Sequence, residues 1–286
     1  MVKQVEVLGW LSVRAMRILY WRLSSWVQRM PYVPALNYDY KEVAGESSFS
    51  PPTVENRVQL RLYHRVVGSY CLDQEQDHPL EIAEVGCGLG VGADWLSSFL
   101  DKKLSVLYGI DQSKASTSFC RKRYAHNSRL SFRHGDATRL PLADQSMDIV
   151  FSIESSHMWP DMGAALTEIS RVLRPGGSFF WADFREAPAK HKALEAIEEE
   201  FDILDEEDMT EGVARALTSR EEQDRKEKLL SDLMRSVSFT ERLLMKKLLK
   251  YLRIFMGMEA SDTVRQFQAK TLVYTRVVAR KKSASS

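Results

Sequence analysis

The chain has 286 residues, with 40 Lys+Arg against 39 Asp+Glu and a formal charge of +1. That balance excludes a strongly basic nucleic-acid binder, which needs a net cationic field to neutralise phosphate. With 44% hydrophobic and 10% aromatic residues the composition is that of a folded chain with a sizeable core.

Residues 1 to 30 place Leu8, Leu11, Ala15, Ile18, Leu19, Leu23, Trp26 and Met30 at three- and four-residue steps, which predicts a long amphipathic helix. Arg14, Arg17, Arg22 and Arg29 interrupt it, so neither a secretory leader nor the roughly 20 apolar residues of a membrane-spanning helix is expected. Pro31, Pro34, Pro51 and Pro52 then predict an irregular connector. A helix after Thr53 carries Val58, Leu62, Val66 and Val67.

From His78 short apolar runs alternate with helical stretches, the pattern of a parallel sheet flanked by helices. Strands are predicted at 80–85, 105–110, 130–134, 149–153 and 178–182, and helices at 91–100, 114–126 and 162–173. Pro175-Gly176-Gly177 is expected to cap the last of these helices. A helix over 190–200, a sixth strand over 201–204 and a last strand over 270–279 complete the sheet. Residues 206–262 are too long for a loop and have a helical texture, which predicts inserted helices.

Glu84-Val85-Gly86-Cys87-Gly88-Leu89-Gly90 closes an apolar strand and opens a helix. Glycines there permit a sharp turn and close approach of a ligand to free helix amides. Asp111 ends the second strand about twenty residues on, where a carboxylate can take both hydroxyls of an adenosine ribose. The third glycine of the dinucleotide fingerprint is replaced by Val91, and no Tyr stands four residues before a Lys, so nicotinamide chemistry is not favoured. Gly135-Asp136-Ala137 follows the third strand, and Glu154 ends the fourth.

In this order the motifs resemble those of the class I S-adenosylmethionine-dependent methyltransferases, over about residues 80 to 183. The resemblance implies an α/β, Rossmann-like seven-stranded sheet with N-terminal helices and an inserted helical lid. It divides the chain into 1–52 (helix and connector), 53–205 (cofactor-binding core), 206–262 (lid) and 263–286 (last strand and basic tail). It implies S-adenosylmethionine as cofactor, its methionyl part held by Glu84, Gly86, Gly88 and Gly90. Asp111 and Gln112 would hold the ribose, Asp136 and Ala137 the adenine, and Glu154 would lie near the sulfonium. Asn56, Leu62-Tyr63-His64, Cys120-Arg121-Lys122-Arg123 and Ile153-Glu154-Ser155-Ser156-His157 look like the phthiotriolone-type lipid methyltransferases, which O-methylate a long-chain polyketide alcohol. The expected reaction is therefore O-methylation of a hydrophobic polyketide, lipid or terpenoid. C-methylation of a terpenoid or polyketide carbon, N-methylation of an amine, and a non-catalytic scaffold of the same fold are the alternatives.

An alcohol loses its proton as it attacks, and His157, three residues past Glu154, is the first candidate to take it, with His64 the second. Tyr63, Ser156, His157 and Trp159 are candidates for the acceptor site; the plain reading of such aromatics is core packing. Cys87 reads as a small packing residue. Glu154-Ser155-Ser156-His157 lacks the Pro-Pro-aromatic signature for a planar base nitrogen, so a nucleic-acid substrate is not expected. No acidic cluster suggests a metal, and the acidic stretch Glu198 to Asp208 reads as a solvent face. The three cysteines, Cys71, Cys87 and Cys120, form no C-x-x-C pair, which fits a reducing, cytoplasmic setting. The first helix is open to a role as lid, as a homo-oligomer contact or as a peripheral membrane anchor, and the basic run Lys246 to Phe255 to a lid or a lipid contact.

Overall fold

The computed structural model describes residues 25–26, 28–30, 37–43, 57–73, 77–243, 245–246, 253 and 262–283. Most of the expected first helix, Asn56 and all but two residues of the basic run Lys246 to Phe255 lie outside them. The chain divides into two compact units, one of residues 63–208 with 274–286, the other of 1–62 with 209–273.

The first unit holds a seven-stranded sheet of order β3-β2-β1-β4-β5-β7-β6. Its strands are β1 Leu80–Val85, β2 Leu104–Asp111, β3 Leu130–His134, β4 Met147–Ile153, β5 Leu173–Glu186, β6 Phe201–Asp208 and β7 Leu272–Lys281. β1 pairs in parallel with both β2 and β4, so the strand order reverses between β1 and β4. Such a reversal opens a crevice at the carboxyl ends of the strands, where open α/β sheets take their ligands. The four innermost strands are near-continuous apolar runs because helices cover them. Phe179, Val150, Ile169 and Ile197 meet in one core between the sheet and helices α5 (Met162–Val172) and α6 (Ala187–Glu200).

Two expectations are corrected. The helix over 162–172 is not capped by Pro175-Gly176-Gly177: it ends on Leu173 in extended geometry. Leu173 pairs with Met147 and Ser178 with Ile149, so residues 174–177 bulge between two paired positions. The left-handed Gly176 serves that bulge. The sixth strand runs to Asp208, four residues past the expected Leu204, because Arg276 of β7 pairs with Asp205 and Glu207 and an edge strand tolerates charge.

The helix after Thr53 is built as α1 (Arg57–Tyr63), a π-helical turn His64–Gly68 and α2 (Ser69–Asp73). The second unit contains α1 up to Leu62, α7 (Thr210–Leu217), α8 (Arg220–Ser236) and α9 (Asp262–Gln268). Tyr38 meets Phe267 edge-on at 5.9 Å, and Leu229, Leu230 and Leu233 are buried along α8. This unit also buries polar groups. Arg61 approaches Asp39 at 3.3 Å, Gln59 donates to Glu222 at 3.2 Å, and Lys226 pairs with Glu222 at 3.1 Å. No helix among the described residues is long and apolar enough to cross a membrane.

Candidate active site

The glycine turn leaves β1 at the strand-order reversal. Gly86 takes φ 87°, and the amides of Gly86 and Cys87 both donate to the Ile110 carbonyl, at 2.8 and 3.1 Å. A Cβ on Gly86 would lie 2.2 Å from the Ser155 Cβ, so glycine is required both by the backbone angle and by the close approach of the chain leaving β4. The turn then enters α3 (Val91–Leu100), whose first amides follow Gly90.

Asp111 ends β2 almost fully buried. Its Oδ2 accepts from the Gly88 amide at 2.9 Å and its Oδ1 from the Ser113 amide at 2.8 Å. The residue expected on a ribose thus also fixes the glycine turn, each oxygen keeping a lone pair for a hydroxyl. Burial raises its carboxyl above the ordinary range, and the two amides pull the other way. Gln112 beside it is exposed. At the end of β3, Asp136 accepts from the Thr138 amide and hydroxyl at 2.9 and 2.7 Å, closing a turn that buries Ala137.

Glu84, on β1, is 1% exposed. Tyr63 donates to its Oε1 at 2.7 Å, and its Oε2, though buried, has no partner. An orphaned buried carboxylate oxygen costs free energy unless something cationic or donating meets it. Burial first, and the Asp111 charge after it, push Glu84 up to about 7 against the pull of Tyr63. Tyr63 itself stands edge-on to Phe151. A Cβ on Gly92 would fall 1.9 Å from the Tyr63 ring, so the tyrosine lies directly against the first turn of α3.

At the end of β4, Glu154 has a left-handed backbone (φ 50°), a strained state for a non-glycine residue. Its amide is tied to the Ala182 carbonyl of β5 at 2.8 Å, and its Oε1 accepts from the Tyr274 hydroxyl of β7 at 3.1 Å. The turn that follows carries Ser156 and His157. His157 Nδ1 lies 2.8 Å from Asp183 Oδ1, and its amide donates to Asp183 Oδ2 at 3.0 Å. Ser156 donates to the same Oδ2 at 2.6 Å while accepting from Trp181 and Arg185. Burial would raise Asp183, but the His157 and Arg185 charges and these donors hold its carboxyl well below the ordinary range. An ionised Asp183 favours the Nδ1–H tautomer of His157, which leaves the Nε2 lone pair to accept.

The structure therefore brings Tyr63, Glu84, Gly86, Gly88, Asp111, Glu154, Ser156 and His157 to the carboxyl edge of the sheet. It places His64 elsewhere in the packing, edge-on to Trp95 and Phe99 of α3. Trp159 packs against the hydrophobic core, as its plain reading had it. Asp183, Arg185 and Tyr274 were missed in the sequence. An acidic residue closing the fifth strand, next to a fourth strand ending in a histidine turn, is the signal that would have found Asp183. Among the described residues no group of His, Cys, Asp or Glu is placed to hold a metal ion.

The strand order, the glycine turn at the reversal and the acidic ends of β2 and β4 are those of the class I S-adenosylmethionine-dependent methyltransferase fold. Residues 83–181 match the family model of a methyltransferase domain. The cofactor of this domain is S-adenosylmethionine, and the site suits it. The buried, unpartnered Glu84 oxygen suits a cationic group, and the Asp111 oxygens retain acceptor capacity for a hydroxyl.

A fatty-acid O-methyltransferase of Mycolicibacterium smegmatis is 37% identical over 155 residues, 52% of this chain and 52% of its own. A phthiotriol/phenolphthiotriol dimycocerosates methyltransferase of Mycobacterium tuberculosis is 39% identical over 130 residues, 46% of this chain and 45% of its own. The matches thus span about half the length of these relatives. Among solved structures, the cyclase SpnF superposes with a TM-score of 0.65 at 19% identity, covering 96% of this chain and 97% of that one. A geranyl diphosphate C-methyltransferase from Streptomyces coelicolor, solved with S-adenosylhomocysteine, gives 0.60 at 13% identity over 92% and 98%. At these identities the two structures share the fold alone.

Proposed function

We propose that the protein transfers a methyl group from S-adenosylmethionine to a hydroxyl of a hydrophobic small molecule of the lipid, polyketide or terpenoid class. The observation that carries the reading is the His157–Asp183 pair beside Glu154 at the carboxyl edge of the sheet. Bound S-adenosylmethionine supplies a methyl group made electrophilic by its sulfonium. What the chain must add is alignment, exclusion of water and a base for the departing hydroxyl proton. His157 takes that proton at Nε2, and buried Asp183 stabilises the imidazolium that results. Glu84 and Asp111 hold the cofactor, together with Gly86, Gly88 and Gly90; Asp136 and Ala137 face its adenine, and Gln112 rims the ribose. Ser156 acts through Asp183, and we assign His64 and Trp159 to packing.

A second reading follows from the M. smegmatis relative, named for methylating a fatty acid. A carboxylate is already ionised near neutral pH and needs no base. His157→Gln therefore separates the two. With labelled cofactor and a lipid extract, loss of roughly 10²–10⁴ in turnover is expected for a hydroxyl acceptor. Unchanged turnover, with a methyl ester identified by mass, would establish the carboxylate reading instead. A polar labelled product such as a nucleoside or peptide would overturn the hydrophobic-acceptor assignment.

A further inference from the structure

The carboxylate behind His157 is shared with a second cation to which the reaction as written gives no part. Asp183, on β5, has a wholly buried side chain, whereas the imidazole it serves keeps 20% exposure. Its Oδ1 lies 2.8 Å from His157 Nδ1 and accepts from the Phe184 amide at 2.8 Å. Its Oδ2 accepts from Ser156 at 2.6 Å and from the His157 amide at 3.0 Å, and lies 3.1 Å from Arg185 Nη1. Arg185 is itself buried. Its Nη1 donates to the Phe184 carbonyl at 2.8 Å and its Nη2 to Ser156 Oγ at 2.6 Å, while the guanidinium carbon lies 5.5 Å from the centre of the Trp181 ring. The Trp181 indole and the guanidinium can only donate, so they take both lone pairs of the Ser156 oxygen, and its one proton is directed to Asp183.

This arrangement decides which charge Asp183 must answer. A guanidinium is permanently cationic, so with Arg185 in place the buried pair is already neutral while His157 carries no proton. Protonating His157 then adds a charge with no free counter-charge. Were Arg185 absent, the buried carboxylate would stand alone, and a protonated imidazole would become its partner, because an unpaired charge in that setting is costly. An imidazole that already holds a proton cannot take one from an acceptor hydroxyl.

We propose that Arg185 is a positioning residue for the base: by sharing Asp183 it keeps His157 unprotonated at rest and ready to accept. The proposal rests on His157 being the base. Asp183 Oδ1 orients the ring, Arg185 neutralises Oδ2, and Ser156 ties the two together. The charged and titratable groups of this corner are Asp183 and Arg185 on β5, Glu154 on the same turn as His157, and Tyr274 of β7, which donates to Glu154. Changing Arg185 alone leaves the other three as they are.

The test is a pH titration of the imidazole nitrogens by NMR, on the purified full-length protein with no ligand added. The chain has six histidines, and the signal that disappears in His157→Gln is that of His157. Arg185→Met is expected to raise the ratio of protonated to neutral His157 at a given pH by about tenfold, the usual size of one nearby charge removed. Arg185→Lys keeps the cation and should restore most of the native ratio. Thermal melting shows which variants are folded, and Arg185→Gln, which retains an N–H donor for Ser156, takes the place of Arg185→Met if that variant is not. A role in packing alone would lower the melting temperature and leave the ratio where it was; that result overturns the proposal, as does an equal shift in Arg185→Lys and the neutral variant. Turnover with labelled cofactor and a lipid extract separates the two levels of the argument. Unchanged turnover in His157→Gln overturns the base assignment and the proposal with it, whereas lost turnover in His157→Gln with an unmoved titration in the Arg185 variants overturns the proposal alone.

Discussion

A carboxyl group lifted to about 7 makes cofactor binding depend on pH in a direction set by Glu84. Its cationic partner needs the ionised form. Between pH 6 and 8 the ionised fraction of such a group rises from about a tenth to about nine tenths. Affinity for S-adenosylmethionine should strengthen several-fold over the lower half of that range. Above it, the amino group of the cofactor begins to lose its own proton, since α-amino groups titrate at roughly 7.7–8.0. A maximum near neutrality is therefore expected in a calorimetric pH series. In Glu84→Gln the acid limb should vanish, and an acid limb that persists would show that another group titrates. At this scale the sequence was partly legible. Glu84, Gly86, Asp111 and Glu154 are marked by their places at strand ends. Tyr63 on Glu84, Asp183 under His157 and Tyr274 on Glu154 are partnerships across 21, 26 and 120 residues, and no local pattern announces a partner that distant.

The helices that follow β1 and β4 both carry a glycine at the second position, with opposite consequences. In α3, a Cβ on Gly92 would collide with the ring of Tyr63 at 1.9 Å. In α5, a Cβ on Gly163 would meet only Asp161 Oδ1 at 3.6 Å, an ordinary contact. Gly92→Ala should therefore displace Tyr63, release Glu84, and lower both melting temperature and cofactor affinity. Gly163→Ala should stabilise by a few tenths to about 1 kcal/mol, because it removes backbone freedom from the unfolded chain and none of the folded contacts. Equal melting shifts of the same sign would show that Tyr63 is not set by the helix turn. These helices were legible because apolar periodicity and the caps are local: Ser113 and Asp161 accept from the amides of Ser116 and Ala164. The end of α5 was not. Pro-Gly-Gly after a helix reads as a stop, whereas the pairing of Leu173 with Met147 draws the chain into the sheet first. The long acidic β6 was legible for only four residues, since its charges conceal the strand and only Arg276 on the neighbouring strand explains them.

Each of the two compact units buries an acid whose protonation is lifted by its surroundings, and both act on stability in the same direction. Glu84 is raised to about 7, and Asp39, 1% exposed in the other unit, to about 8. Burial is the main cause for Asp39; the Arg61 charge opposes it and the Glu222 charge adds to it. A carboxyl raised in the folded state contributes stability that is complete below its unfolded value, near 4, and is lost as pH rises through the folded one. Asp183 and Glu222 are lowered instead, so their contribution is present above about pH 4 and lost only in stronger acid. Between pH 5.5 and 8.5 Glu84 and Asp39 therefore both contribute a negative slope. The free protein should lose stability across this window, read as a melting temperature that falls as pH rises. Saturating S-adenosylmethionine should remove the part due to Glu84, whose carboxylate then has a cationic partner. Asp39→Asn should remove the other part and leave cofactor affinity unchanged. A melting temperature that is level or rises from pH 5.5 to 8.5 would mean that neither acid is held protonated. A slope untouched by Asp39→Asn would place the whole effect in the glycine-turn unit. Asp39 pairs with Arg61 on the same side of residues 63–208, while Gln59 donates to Glu222 across them in sequence, so this property belongs to the folded unit of residues 1–62 with 209–273 and to none of its motifs.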